Sequence, residues 1–327
     1  MKNKIFFILL APILIASLLP CGSAFAWHNP PSSRTIDPIV STDWLLENID
    51  NESLVVIDIR DDASYAVGHI PGSINEPFVF PVSAWITIRD GLFLEMPNDV
   101  DLFAAIESLG ITQDSRVVIV TAPNPGEPPF YGLANATRVA FTLIYAGVKN
   151  VAILDGGYPK WVADGYSTTT DVPTVEPVTY LGIVNNGIIA SLDYVRWHLR
   201  KADLIDARDA DVYFGVTIEP FADKAGHIPG ASSLPAPWIW NLNADGTYTF
   251  KDLETLGDMA SGVLREPWRY WGHWSPKIIV YCGVGGYASS WWFVLTQMLG
   301  YHNVKLYDGS AQEWVMEDYE MIPYRWD

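Results

Sequence analysis

The sequence predicts an α/β protein made of two tandem copies of one domain, each a parallel β-sheet flanked by helices. Three observations carry this. Landmarks recur in the same order: Val55-Val56-Ile57-Asp58-Ile59-Arg60 then Gly68-His69-Ile70-Pro71-Gly72-Ser73, and again Leu204-Ile205-Asp206-Ala207-Arg208 then Gly226-His227-Ile228-Pro229-Gly230-Ala231. The endings repeat too, as Asp155-Gly156-Gly157 before Trp161 and Asp308-Gly309-Ser310 before Trp314. The offset of about 150 residues is the size of a domain. Second, short apolar runs alternate with stretches of helical length, as where Val117-Val118-Ile119-Val120 precedes a predicted helix over Leu133 to Tyr145. Third, those runs are continuous Val and Ile, the pattern of strands covered on both faces.

In chain order, residues 1–26 read as a signal peptide. Lys2 and Lys4 give the positive start, Ile5 to Leu19 the apolar stretch and Ala24-Phe25-Ala26 the cleavage site. Cleavage after Ala26 predicts a periplasmic or secreted protein. Two alternatives are a lipoprotein anchored through Cys21, the one route to a membrane tether in the cleaved chain, and a retained anchor. Pro20 fits a lipidation signal poorly, and the apolar stretch is short for a span. Residues 27–167 form the first domain, the Thr/Pro/Val-rich stretch 168–178 a linker, and residues 179–327 the second domain. The net charge of −18 becomes −20 once Lys2 and Lys4 are removed, which argues against non-specific nucleic-acid binding. The 14 Trp residues are expected mostly in packing.

Removal of Cys21 leaves Cys282 as the one cysteine. It has no partner within the chain, so it is not a structural staple. It ends the apolar run Ile278-Ile279-Val280-Tyr281 and opens Gly283-Val284-Gly285-Gly286-Tyr287-Ala288, with a helix predicted from Ser289 to Leu299 and stopped by Gly300. A glycine-rich loop can turn its amides inward as an anion cradle, and a helix N-terminus adds its positive dipole end. Such a setting is expected to lower the thiol pKa. Sites in parallel sheets lie at the carboxyl ends of strands, where Cys282 stands.

Taken together, Asp-x-Arg before Gly-His-Ile-Pro-Gly, the Asp-Gly…Trp endings and the Cys282 loop resemble the tandem rhodanese-domain sulfurtransferases, which include thiosulfate and 3-mercaptopyruvate sulfurtransferases. The resemblance covers nearly the whole chain after residue 26. It implies a catalytic second domain and an inactive first copy. In keeping with that, Thr121-Ala122-Pro123-Asn124-Pro125 stands where a first cysteine would be, and proline lacks the N–H that a cradle needs. It also implies a Cys282 persulfide, loaded from a small sulfur donor and unloaded to a thiol or cyanide, with no metal or other cofactor. The Gly283 to Ala288 amides would hold the terminal sulfur. The loop carries no Arg of the kind a phosphatase uses to clamp phosphate.

This chain departs from the family at positions that bear on substrate. Gly283 and Val284 stand where thiosulfate-type members carry basic residues. Val284 also replaces the serine of the mercaptopyruvate-type loop. Val212, four residues after Arg208, replaces a substrate-binding arginine, and Tyr287 is bulky where threonine is common. Arg208 and Lys224 are left as candidate substrate contacts. His69 and His227 occur in both copies although only one copy has the cysteine, which marks them as fold-maintaining. His28, His198, His273 and His302 show no ligand spacing. Trp238, Trp240, Trp268, Trp271 and Trp274 are expected to pack, some against the pocket. The leading expectation is an exported sulfurtransferase, leaning towards thiosulfate-like donors over 3-mercaptopyruvate. A non-enzymatic persulfide or chalcogen carrier and a cell-envelope scaffold are the competing readings.

Overall fold

The computed structural model describes residues 34–124, 126–265 and 276–326. The predicted signal peptide with Cys21, and also His28, Pro125, Trp268, Trp271, His273 and Trp274, lie outside the described residues. Among the described residues, no helix is long and apolar enough to cross a membrane.

The first domain contains β1 (Ile39–Val40), α1 (Thr42–Asn48), β2 (Leu54–Asp58), α2 (Asp62–Val67) and β3 (Ile74–Asn75). The hairpin β4 (Thr87–Arg89) and β5 (Leu92–Glu95) follows, then α3 (Asp99–Ser108), β6 (Arg116–Val120), α4 (Pro129–Tyr145), β7 (Asn150–Leu154) and α5 (Gly157–Ala163). The second contains β8 (Ile189–Ala190), α6 (Leu192–His198), β9 (Asp203–Asp206), α7 (Ala210–Tyr213) and β10 (Ala231–Ser233). Its hairpin is β11 (Trp240–Leu242) and β12 (Tyr248–Phe250), followed by α8 (Leu253–Ser261), β13 (Ile278–Tyr281), α9 (Gly286–Phe293), β14 (Val304–Tyr307) and α10 (Ser310–Met316).

Both main sheets are parallel throughout, and their strand orders correspond: β1-β7-β6-β2-β3 and β8-β14-β13-β9-β10. The predicted duplication is therefore a duplication of topology, hairpins included. Residues 168–178 are irregular but run along the first domain. Thr169 bridges His69, the Val178 amide bonds the Glu107 carbonyl at 3.1 Å, and the Tyr180 hydroxyl bonds the Ala146 carbonyl at 2.9 Å.

The repeated motifs now have physical causes. In each copy the arginine forks onto the aspartate at the strand end and ties it to the next turn. Arg60 Nη2 stands 2.6 Å from Asp58 Oδ2 and 3.0 Å from the Gly68 carbonyl. Arg208 Nη2 stands 2.6 Å from Asp206 Oδ2 and 2.8 Å from the Gly226 carbonyl. The histidines stack on tyrosines, His69 on Tyr65 at 3.7 Å and His227 on Tyr213 at 3.8 Å. Those tyrosines donate to the Ser73 and Ala231 carbonyls. Buried bidentate pairs of this kind fix the path of the chain; breaking one leaves a buried charge uncompensated.

The two domains share one apolar core. Helix α4, the long central helix of the first domain, lies against α9 of the second, with Phe141 edge-on to Trp292 at 4.7 Å. Both rings are fully buried, each contributing about 1.5–3 kcal/mol or more of burial. Two predicted boundaries shift. Helix α4 begins at Pro129 rather than Leu133, with proline at a position where its missing N–H costs nothing. Helix α9 begins at Gly286 rather than Ser289, then widens into a π-helical turn over Val294–Met298, and the chain leaves at Gly300 with φ +69°.

Candidate active site

Cys282 follows the last residue of β13 and is 2 % exposed. The loop that follows is fixed from several sides. The Cys282 amide donates to Ser310 Oγ at 3.2 Å, and that hydroxyl donates to the Tyr307 carbonyl at 2.8 Å. The Cys282 and Gly283 carbonyls accept from the Ala311 and Gln312 amides at 2.9 and 3.0 Å. Gly285 has φ +91°, and a Cβ there would stand 3.1 Å from Arg138 Nη1 and 3.2 Å from the Asp308 carbonyl. Conformation and space both require glycine at 285.

Three amides point at the thiol sulfur, those of Val284, Gly285 and Ala288, with Gly285 N 3.1 Å from Sγ. Gly286, Tyr287 and Ala288 are the first turn of α9, so cradle and helix N-terminus are one feature. The expected fall in the thiol pKa does not follow. Burial pushes the Cys282 thiol up and the Glu219 carboxylate adds to that, outweighing the three amides. The donors are legible in the local sequence, whereas the depth of burial and the nearby anion are tertiary properties.

That anion was not legible in the sequence. Glu219 lies in the irregular segment between α7 and Gly226. A Cβ built on Gly283 would meet its Oε2 at 2.7 Å, so the carboxylate sits against the residue following the cysteine. Oε2 is 3.5 Å from Arg208 Nη1, a long ion pair that leaves this oxygen without a well-aligned hydrogen-bond donor. Burial pushes the Glu219 carboxyl up to about 7 in spite of Arg208. Beside it stand Tyr131 from the start of α4 and Tyr287 from α9, ring centroids 5.6 Å apart. Burial and then the Glu219, Asp209 and Glu127 carboxylates hold the Tyr131 phenol above its ordinary value.

The other expected substrate contacts are placed as follows. Arg208 is 1 % exposed and its fork is occupied by Asp206. Lys224 Nζ is held by Asp318 at 2.5 Å and by the Tyr319 carbonyl at 3.2 Å. Val212 is buried in the short helix α7. Trp240 is buried and stacks on Phe130 at 5.9 Å, whereas Trp238 is 53 % exposed.

The first domain supports this loop from behind. Arg138, fully buried on α4, pairs with Asp308 Oδ1 at 2.6 Å and also donates to the Leu94 carbonyl. Asp308 Oδ2 accepts the Met96 amide at 2.9 Å. Thr137 Oγ1 lies 2.9 Å from both Ser289 Oγ and Ser290 Oγ on α9. Asp308 is visible in the sequence as part of a repeat. Its pairing with Arg138 needed coordinates.

Comparison with known proteins agrees with this architecture. The family model described as Rhodanese-like domain matches residues 41–164 and 191–317. A protein of Thermus thermophilus named Sulfur carrier protein TtuD is 34 % identical over 84 % of this chain and 93 % of its own. A Mycobacterium tuberculosis protein, SseA, provisionally described as a thiosulfate sulfurtransferase, is 32 % identical over 84 % of this chain and 87 % of its own. The crystal structure of SseA from Escherichia coli, described as a 3-mercaptopyruvate sulfotransferase with the rhodanese fold, superposes with a TM-score of 0.66. It is 26 % identical and covers 84 % of this chain and 98 % of that one.

Proposed function

The chain belongs to the rhodanese-like family, and we propose that this sulfurtransferase moves sulfane sulfur through a persulfide on Cys282. The observation that carries the proposal is the convergence of the Val284, Gly285 and Ala288 amides on Sγ at the carboxyl end of β13. The Cys282 thiolate attacks the outer sulfur of a small donor. The donor's bond to that sulfur breaks, and its electron pair leaves on sulfite from thiosulfate or, from 3-mercaptopyruvate, on the enolate of pyruvate, which takes a proton from water. A thiol or cyanide acceptor then attacks the terminal sulfur of the persulfide, and Cys282 departs as thiolate. Two half-reactions through one covalent intermediate predict ping-pong kinetics. The amides that hold the thiol are placed to hold the terminal sulfur's charge, without a metal.

A second reading is a carrier that loads and hands on sulfur without efficient turnover of small donors. The raised thiol pKa and the adjacent Glu219 favour it, since both lower the resting thiolate fraction. The experiment is intact-mass and peptide-level mass spectrometry after incubation with thiosulfate or 3-mercaptopyruvate. One added sulfur on Cys282 with steady transfer to cyanide or a thiol supports the enzyme. A stable stoichiometric adduct supports the carrier. No adduct with these or with any other sulfane donor removes the persulfide proposal. Export belongs to the same proposal, on the pattern of residues 1–26, and an N-terminus beginning at Trp27 in the purified native protein is its check.

A further inference from the structure

In this site a carboxylate takes the place that a loop side chain would hold. A Cβ at position 283 would stand 2.7 Å from Glu219 Oε2, so with glycine there the carboxylate packs directly against the residue that follows Cys282. Among the described residues one guanidinium, that of Arg208, pairs with Glu219, and it is shared with Asp206, so the carboxylates outnumber it. Arg208, the nearest, lies 3.5 Å from Oε2 but spends its fork on Asp206 at 2.6 and 2.9 Å. Arg138, on the other side of the loop, is spent on Asp308. Asp209 is exposed, and it and Glu219 both act on Tyr131 and Tyr287. These two rings stand 5.6 Å apart and Tyr131 is 47 % exposed, so they offer π-faces next to the carboxylates. Carboxylates beside aromatic faces attract cations and repel anions.

We propose that Glu219 sets the charge preference of the Cys282 site, admitting sulfur compounds that carry a positive charge next to their sulfur and disfavouring small dianions such as thiosulfate. This rests on Cys282 being the reacting thiol and narrows its substrates to aminoalkyl persulfides as donors and amino-thiols as acceptors. In the loading step the Cys282 thiolate attacks the outer sulfur of an aminoalkyl persulfide. The S–S bond breaks, its pair leaves on the aminoalkyl thiolate, and that thiolate takes a proton from water. Glu219 stabilises the ammonium group throughout and transfers no atom.

The test reads potential at the thiol separately from turnover. The chain from Trp27 onward is reacted with 2-(trimethylammonio)ethyl and 2-sulfonatoethyl methanethiosulfonate, and each rate is divided by that of 2-mercaptoethanol. The normalised cation-to-anion ratio is expected to reach about tenfold or more at pH 8, and to fall about fivefold in Glu219→Gln, as estimated from removal of one nearby charge. Asp209→Asn, at an exposed residue, provides a second variant with a smaller fall. Loading of Cys282 from aminoethyl persulfide should likewise outpace loading from thiosulfate, and the margin should shrink in Glu219→Gln. A ratio near one, a ratio unchanged in both folded variants, or a thiol closed to both reagents overturns the inference. The labelling needs only a thiol, so failure of the persulfide proposal would leave the charge ratio intact. Persulfide formation with an inverted ratio would sink this inference alone.

Discussion

The ends of β6 and β13 are the same place in two copies of one fold, and they have opposite uses. Thr121 follows β6 and Cys282 follows β13. In both, the carbonyl accepts an amide from the start of the next domain-closing helix, Tyr158 N at 2.9 Å and Ala311 N at 2.9 Å. Beyond that point the chains differ. After Cys282 the helix begins within a tight turn, at Gly286, and its first amides reach the sulfur. After Thr121 the helix waits until Pro129, and the Thr121 hydroxyl is used to cap the Gly132 carbonyl at 2.7 Å. A catalytic loop here depends on the distance between strand end and helix start as much as on the nucleophile. The first copy has neither and supplies α4, whose Arg138 and Thr137 brace the loop of the second.

The largest effect expected follows from the nucleophile. Cys282→Ser should abolish sulfur transfer while leaving the circular dichroism spectrum and melting temperature close to those of the parent, because serine is near in volume but cannot form a persulfide. Retention of the transfer rate would remove the central assignment. The comparison is sharpened by placing a cysteine in the other copy. Thr121→Cys in the Cys282→Ser background should take up no sulfur from any donor that loads the parent, since the helix after residue 121 starts only at Pro129 and Pro123 has no N–H to offer. A persulfide at position 121 would show that the loop geometry is dispensable.

Support across the interface should be worth less than the nucleophile but still be large. Arg138→Leu leaves Asp308 buried and unpaired, and should cost about 3–5 kcal/mol in urea unfolding. Arg138→Leu combined with Asp308→Leu should recover part of that loss. If the single variant lost under 1 kcal/mol, the two domains would not be locked in the way the 2.6 Å contact implies.

Much of this molecule was legible in the sequence because duplication exposes constraint. Asp58 with Arg60 and Asp206 with Arg208 were visible as repeats, and the coordinates show why each pair recurs. The cysteine loop was legible because β-strand, glycines and helix follow in order. Glu219 was not. It comes from an irregular segment with no periodicity, and its importance arises from distance in space to Gly283. The direction of the Cys282 pKa was missed for the same reason: local sequence reveals donors on the loop, whereas burial and a carboxylate from a remote segment are tertiary properties.

Removing that carboxylate should change the thiol measurably. Glu219→Gln is expected to lower the Cys282 pKa and raise its iodoacetamide rate at pH 8 by roughly fivefold. Near pH 6, where most of the parent's Glu219 is already protonated, the two proteins should react alike. A difference that persisted undiminished at pH 6 would assign the effect to packing rather than charge.

The smallest expected effect comes from the Asp-Gly turns, which also break the symmetry. Each aspartate reaches the other domain's hairpin: Asp155 Oδ1 accepts the Phe250 amide at 2.8 Å, and Asp308 Oδ2 accepts the Met96 amide at 2.9 Å. Asp308 is paired with Arg138; among the described residues Asp155 forms no comparable buried pair, and burial pushes it up to about 6 in spite of the Phe250 and Gly156 amides and Lys160. A carboxyl whose folded pKa exceeds its unfolded value binds more protons when folded. Its contribution to stability is present in full below the unfolded pKa and is lost as pH rises through the folded one. For Asp155 that window runs from the ordinary 3.8 to about 6, and Glu219 acts in the same sense from 4.5 to about 7. The carboxyls held low, such as Asp164 and Asp61, stay ionised above pH 5 and do not oppose the trend. The protein should therefore melt at a higher temperature at pH 5.5 than at pH 8. Asp155→Asn should remove under about 1 kcal/mol of that difference, a shift of about 1–3 °C. A parent protein that gained stability from pH 5.5 to 8 would show that burial of these carboxyls is not what the two Asp-Gly turns differ in.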